Sequence, residues 1–178
     1  FYLNSSSAPV NNTEQYRATP TSSVYTIGVG GDINNSSGTY VAYVFADVEG
    51  FSKLGNYEGN GSTDGPFVYT GFKPRFVLFR RYDGADGWNL IDTARGSGNF
   101  GSAAGSTGID PTAGNEMNTK INANDAFGEE DNPAGSRKVS FLSNGFKVKT
   151  TNTAMNTSGG DYFYMAFAES PFKTATAR

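Results

Sequence analysis

Hydrophobic and polar positions alternate with a period of two along much of this chain, which is the mark of half-buried strands. "VYTIGV" (24–29) opens the series, and "TYVAYVFADV" (39–48) is apolar on both faces, as a buried central strand would be. "FSKLGNYEG" (51–59), "PFVYTGF" (66–72) and "PRFVLFRRY" (74–82) come next, then "WNLIDTA" (88–94) after the turn "DGADG". "TKINAN" (119–124) resumes the pattern, "RKVSFL" and "GFKVKT" read as a hairpin across Ser143-Asn144, and "DYFYMAFAE" (161–169) closes it. About ten strands are expected. The nearest helical candidate is "NANDAFGEE" (122–130), which Gly128 weakens. "GGDINNSSG" and "NTAMNTSGG" read as loops, as does the polar arm after Phe1–Asn4. Residues 96–118 form a Gly- and Ser-rich stretch, longer than loops within compact domains usually run. It is expected to be either a functional surface loop or a segment ordered by a neighbouring chain.

Composition sharpens this picture. The 178 residues suit one domain with a sizeable core, and 14 Phe, 10 Tyr and 23 Gly fit strands separated by tight turns. A net charge of −3 without a basic stripe excludes nucleic acid as a partner. No apolar run is long enough for a membrane helix. Cysteine is absent, which fits synthesis in a reducing cytoplasm.

The chain also repeats itself. "SSGTYVAYVFADVEGF" (36–51) is echoed by "TSGGDYFYMAFAESPF" (157–172). Asn34, Tyr40, Phe45 and Ala46 match Asn156, Tyr162, Phe167 and Ala168 at an offset of 122 positions. "VYTI" (24–27) resembles "GFKV" (145–148) with a shift of one, and "LNSSSA" (3–8) resembles "INANDA" (121–126). The expectation is an all-β antiparallel β-sandwich, jelly-roll or lectin-like, forming one domain over 1–178. Residues 1–50 would be the second half of a first unit, whose front half would precede Phe1, and 51–178 a complete second unit.

Candidate chemistry is sparse. With no His and no Cys, the Ser-His-Asp and Cys-His nucleophile systems and His- or Cys-based metal sites are excluded. Asp47, Glu49, Glu58 and Asp64 are carboxylates expected near one sheet end, where a pair could serve a glycosidase. Acidic residues in such places are more often simply solvated. Asp83 and Asp86 could hold calcium but lack the full ligand series. Asp92 and Arg95 could form a local ion pair. Exposed rings with amides and carboxylates in loops suit a carbohydrate. Tyr57, Asn60, Asp64, Tyr69, Tyr82 and Trp88 are the candidate glycan contacts, Trp88 alternatively filling the sandwich edge. No cofactor, metal or catalytic residue is expected.

The phrases "GNGSTDGPFVYTGFKP", "DTARG", "FLSNGFK" and "YMAFAESPF" carry a further signal. Through them the chain resembles a repeat domain of tailed-bacteriophage structural proteins, particularly those of marine phages. The resemblance implies a non-enzymatic virion protein made in the bacterial cytoplasm, part of a fibre or surface decoration. Its partners would be copies of itself and other virion proteins. The alternative it implies is a receptor- or glycan-binding module of a tail fibre. A polysaccharide-degrading enzyme is the least favoured reading.

Overall fold

The structure, a computed structural model, describes residues 3, 5–8, 19–94, 116–117, 119–124, 126, 130–131 and 138–171. Ten strands occur among them: β1 (Ser52–Glu58), β2 (Phe67–Tyr69), β3 (Pro74–Arg81), β4 (Asn89–Asp92), β5 (Glu116–Met117), β6 (Thr119–Asn122), β7 (Glu130–Asp131), β8 (Val139–Leu142), β9 (Gly145–Val148) and β10 (Asp161–Ala168). They form two antiparallel sheets. One has six strands in the order β1-β10-β3-β4-β6-β7, and the other has four in the order β2-β9-β8-β5. The all-β, sandwich-like class read from the sequence is therefore what the chain adopts.

The alternation of side chains explains the core. Tyr57 from β1, Val77 and Phe79 from β3, Ile91 from β4, and Tyr162, Tyr164 and Ala166 from β10 are buried on one sheet. Val68, Val139, Phe141, Phe146 and Val148 from β2, β8 and β9 belong to the same cluster. Along β3, β8, β9 and β10 every second residue enters the cluster, so the apolar set of one sheet covers that of the other. Edge-on ring pairs, such as Phe146 with Tyr164 at 5.4 Å, fill the space between them. β10 is central: Asp161–Phe167 pair with Ser52–Glu58 on one edge, and Phe76–Arg81 ladder with it on the other.

Two compact units divide the chain: residues 10–45, and residues 1–9 with 46–178. The larger unit holds both sheets. Within it the described part of the N-terminal arm is anchored, because Arg80 donates to the carbonyls of Ser5 and Ser7. Burial pushes the Arg80 guanidinium below its ordinary value, and these carbonyls partly offset that cost.

Several expectations need correction. Residues 24–29 and 39–48 form no strand longer than a single bridge, although their pattern predicts one. Alternation shows what a strand would bury, but a ladder also needs a neighbour. The two loops read at 30–38 and 152–160 each contain one helical turn, α1 (Gly31–Asn34) and α2 (Thr153–Asn156). Four residues are too few for helical periodicity to show. The helical candidate 122–130 begins in β6 and ends in β7 instead. The stretch 96–118 lies largely outside the described residues, and Glu116–Met117 at its end pair with β8. Arg95 also lies outside them, and Asp92 accepts a hydrogen bond from the Ala94 amide at 2.9 Å.

Candidate functional site

Among the described residues of the larger unit, a groove of about 460 Å³ lies between the turn that enters β1 and the turn that leaves β2. The first wall is a tight hairpin. Val48 and Ser52 form an antiparallel bridge, and the Phe51 amide donates back to the Val48 carbonyl at 2.9 Å. The Ser52 hydroxyl donates to the Ala46 carbonyl at 2.7 Å. Asp47 accepts from the Lys53 ammonium and from the Leu54 amide. These two contacts, Lys53 first, hold the Asp47 carboxyl below the usual carboxylate range.

The second wall is Tyr69, Thr70 and Gly71. The Thr70 and Gly71 amides both donate to the Asn144 carbonyl, at 3.0 and 3.1 Å. Gly71 turns the chain at φ +83°, where a side chain would be strained. This geometry turns the Tyr69 ring outward, leaving it 65% exposed. The groove therefore combines an outward ring with Asp47, Glu49 and Lys53. A flat ring can stack on a sugar face and carboxylates can accept from its hydroxyls. A glycosidase instead needs one carboxyl held neutral near pH 7. Asp47 is shifted in the opposite direction.

A second cluster sits at the far end of β1, on the loop 59–65. Asn156, fully buried at the end of α2, organises it. Its amide nitrogen donates to the Ser62 carbonyl and the Thr150 carbonyl, each at 2.8 Å, and to Asn60 Oδ1 at 3.0 Å. Its Oδ1 accepts from the Asn60 amide at 2.7 Å. One side chain thus ties together segments more than 90 residues apart in the sequence. Gly65 passes so close to the Val148 carbonyl that a Cβ there would collide with it. Sequence reasoning missed Asn156 as a structural centre, although its match with Asn34 was a visible signal.

The six candidate glycan contacts do not gather in one place. Asn60 and Asp64 lie on the 59–65 loop. Asn60 is used internally, donating to the Asp64 carbonyl and accepting from the Ser62 amide. Asp64 is paired with Lys147 at 2.5 Å, and that contact lowers its carboxyl. Tyr69 stands at the groove, near the opposite end of β1. Tyr57 is a correction: it lies in the core, stacked on Tyr162 at 4.9 Å, with its hydroxyl donating to the Met155 carbonyl at 2.9 Å. Trp88 is likewise buried, edge-on to Phe163 at 6.4 Å with Arg80 over its ring at 5.5 Å. Neither ring offers a face to a sugar. Tyr82 is half-buried, its amide donating to the Asp161 carbonyl.

The four carboxylates also separate. Asp47 and Glu49 line the groove, whereas Glu58, paired with Asp161 in the ladder, ends β1 on the other side and Asp64 lies on the loop beyond it. Asp83 and Asp86 both face Arg81, at 2.6 and 3.8 Å. Arg81 pulls the Asp83 carboxyl down, while burial pushes that of Asp86 up. Among the described residues no three acidic side chains converge as a metal site would require. No described helix is long and apolar enough to cross a membrane.

Fold and groove define a two-sheet antiparallel sandwich whose turns carry the accessible chemistry. Within that class the chain belongs to a family described as a domain of unknown function (DUF7483), whose model matches residues 1–171. No curated protein matches the chain. No solved structure matches it either.

Proposed function

We propose that this chain is a non-enzymatic structural protein of a tailed-bacteriophage virion, part of a fibre or a surface decoration. The observation that supports this most is a concentration of exposed apolar side chains between residues 24 and 44. Val24, Tyr25, Ile27, Val29, Tyr40, Val41, Tyr43 and Val44 are all exposed. Apolar surface gathered in one short stretch is the mark of an interaction site. An assembly that packs many subunits supplies the neighbours. The phage-like phrases "GNGSTDGPFVYTGFKP" and "YMAFAESPF" give that assembly its context.

The test is immunogold labelling of intact particles with an antibody against this chain. Label on the particles is expected. Label over the head supports decoration, and label along the tail supports a fibre. Particles that never carry label overturn the proposal.

A second reading, host-glycan binding, is favoured by one observation: the outward Tyr69 ring beside Asp47 and Glu49. Tyr69→Ala is then expected to weaken binding to host-surface polysaccharide at least about tenfold, the loss of one stacking contact of roughly 1.5 kcal/mol. The unfolding midpoint should stay unchanged. Equal binding by the variant and the parent removes the groove as the site.

A further inference from the structure

The two helical turns are copies of one another. In the complete unit, the Met155 and Asn156 amides donate to the Asn152 carbonyl at 3.0 and 2.7 Å. The Gly160 amide donates to the Thr157 carbonyl at 3.0 Å. Asn156 Nδ2 donates to the Thr150 carbonyl at 2.8 Å. The Tyr162 hydroxyl accepts from the Thr157 amide at 2.7 Å and donates to the Thr153 carbonyl at 2.6 Å.

Each of these six bonds recurs 122 positions earlier. The Ile33 and Asn34 amides donate to the Gly30 carbonyl at 3.1 and 3.0 Å, and the Gly38 amide to the Asn35 carbonyl at 3.0 Å. Asn34 Nδ2 donates to the Gly28 carbonyl at 2.9 Å. The Tyr40 hydroxyl accepts from the Asn35 amide at 2.9 Å and donates to the Gly31 carbonyl at 3.1 Å. The residues entering and leaving the two turns also share their backbone: ψ is 131° at Gly30 and 130° at Asn152, then 135° at Asn35 and 138° at Thr157.

The two turns lead into different surroundings. After α2 the chain enters β10, which has a strand on either edge. After α1 the matching residues 40–46 form no strand. Val41, Tyr43 and Val44 are 77%, 83% and 73% exposed. Their equivalents are Phe163, Met165 and Ala166, of which Ala166 is wholly buried and Phe163 packs edge-on to Trp88. A strand apolar on both faces suits the middle of a sheet. In the complete unit the occupants of its two edges are known: they are β1 and β3.

We propose that residues 28–47 are the back half of a second unit of this same fold. The partner that completes it is a front half of the family's unit, a segment with the pattern of residues 52–92. Its β1-like and β3-like strands would pair antiparallel with the two edges of 40–46. The inference stands on the duplicated hydrogen bonds and does not depend on the virion reading.

The experiment supplies that front half. A copy of residues 49–94 is fused ahead of Phe1 through a flexible linker, and amide hydrogen exchange is read at residues 41–45. Amides 162–167 serve as the internal measure of folding. A control fusion carries Val77→Asp and Phe79→Asp in the added copy alone. Exchange at Val41, Tyr43 and Val44 is expected to slow about a hundredfold in the first fusion and not in the control. Equal exchange in both fusions, with 162–167 still protected, overturns the proposal. So does a concentration-dependent dimer of the unfused chain that protects 41–45, since a second copy would then be the occupant.

A second measurement needs no fusion. Tyr40→Phe in the unfused chain is expected to speed exchange of the Asn35 amide about fivefold, through loss of its acceptor. No change at Asn35 means that the turn is not formed in solution, and the proposal falls.

Discussion

Tyr162 and Tyr40 make the same two hydrogen bonds from the same position after the same helical turn. One is fully buried and the other is 47% exposed. The contrast separates two kinds of information in a chain. The turn needs only residues within a dozen positions, so it forms wherever those residues occur. The strand beyond it needs partners on both edges and a facing sheet. Tyr162 has them: Tyr57 stacks on its ring, and β1 and β3 hold its backbone.

The sharpest way to break this comparison is to delete both rings in turn. Tyr162→Ala should destabilise the sandwich by about 3–5 kcal/mol, since it removes a core ring and two hydrogen bonds. Tyr40→Ala should change global stability by less than about 0.5 kcal/mol, as an exposed position does. Chemical denaturation of the two variants reads both values. Comparable losses would mean that residues 28–47 are as buried as their matches in the two-sheet sandwich.

The asparagines give a smaller difference in the same direction. Asn156→Ala strands the Asn60 amide and the Ser62 and Thr150 carbonyls, and a loss of about 2–3 kcal/mol is expected. Asn34→Ala gives up one bond to the Gly28 carbonyl, and the expected loss is below about 1 kcal/mol. Urea midpoints at constant slope measure the difference.

Alkaline titration is the mildest probe. Burial raises the Tyr57 hydroxyl well above its ordinary value of 10.0, and raises that of Tyr162 in the same direction. Both groups favour the protonated form when folded. Their contribution is complete below about pH 10, the unfolded value, and is lost as pH rises beyond it. Stability should be flat through neutral pH and then fall by about 1.4 kcal/mol per pH unit for each tyrosine. Tyr57→Phe should shallow that fall while lowering the plateau, because the bond to the Met155 carbonyl is lost. An unchanged slope in this variant would remove Tyr57 from the account.

Eight of the ten strands among the described residues were legible as alternating apolar positions, and they fix the sandwich. β5 and β7 were not, because two residues carry no period. Alternation also pointed to strands at 24–29 and 39–48, where the side chains suit a sheet but a ladder is absent. The candidate site was less legible. Tyr57 sits in "GNYEG", near the end of the expected strand 51–59, where polar neighbours suggest an exposed ring, yet its register opposite Tyr162 turns it inward. Asn156 acts through contacts more than 90 positions away, which no local pattern reveals. The groove brings Asp47 and Glu49 to Tyr69 by tertiary contact alone. The recurrence of Asn and Tyr at a fixed offset was plain in the sequence, and the duplicated hydrogen bonds lie at those residues.

Trp88 is the single tryptophan of the chain, and it lies in the larger unit between Arg80 and Phe163. Its emission is therefore a natural reporter of that unit alone. Excitation at the red edge should track unfolding of the sandwich, while residues 10–45, which contain tyrosine but no tryptophan, stay dark. Paired with circular dichroism, which sees the whole backbone, this one indole allows the two units to be melted separately in one cuvette without a label.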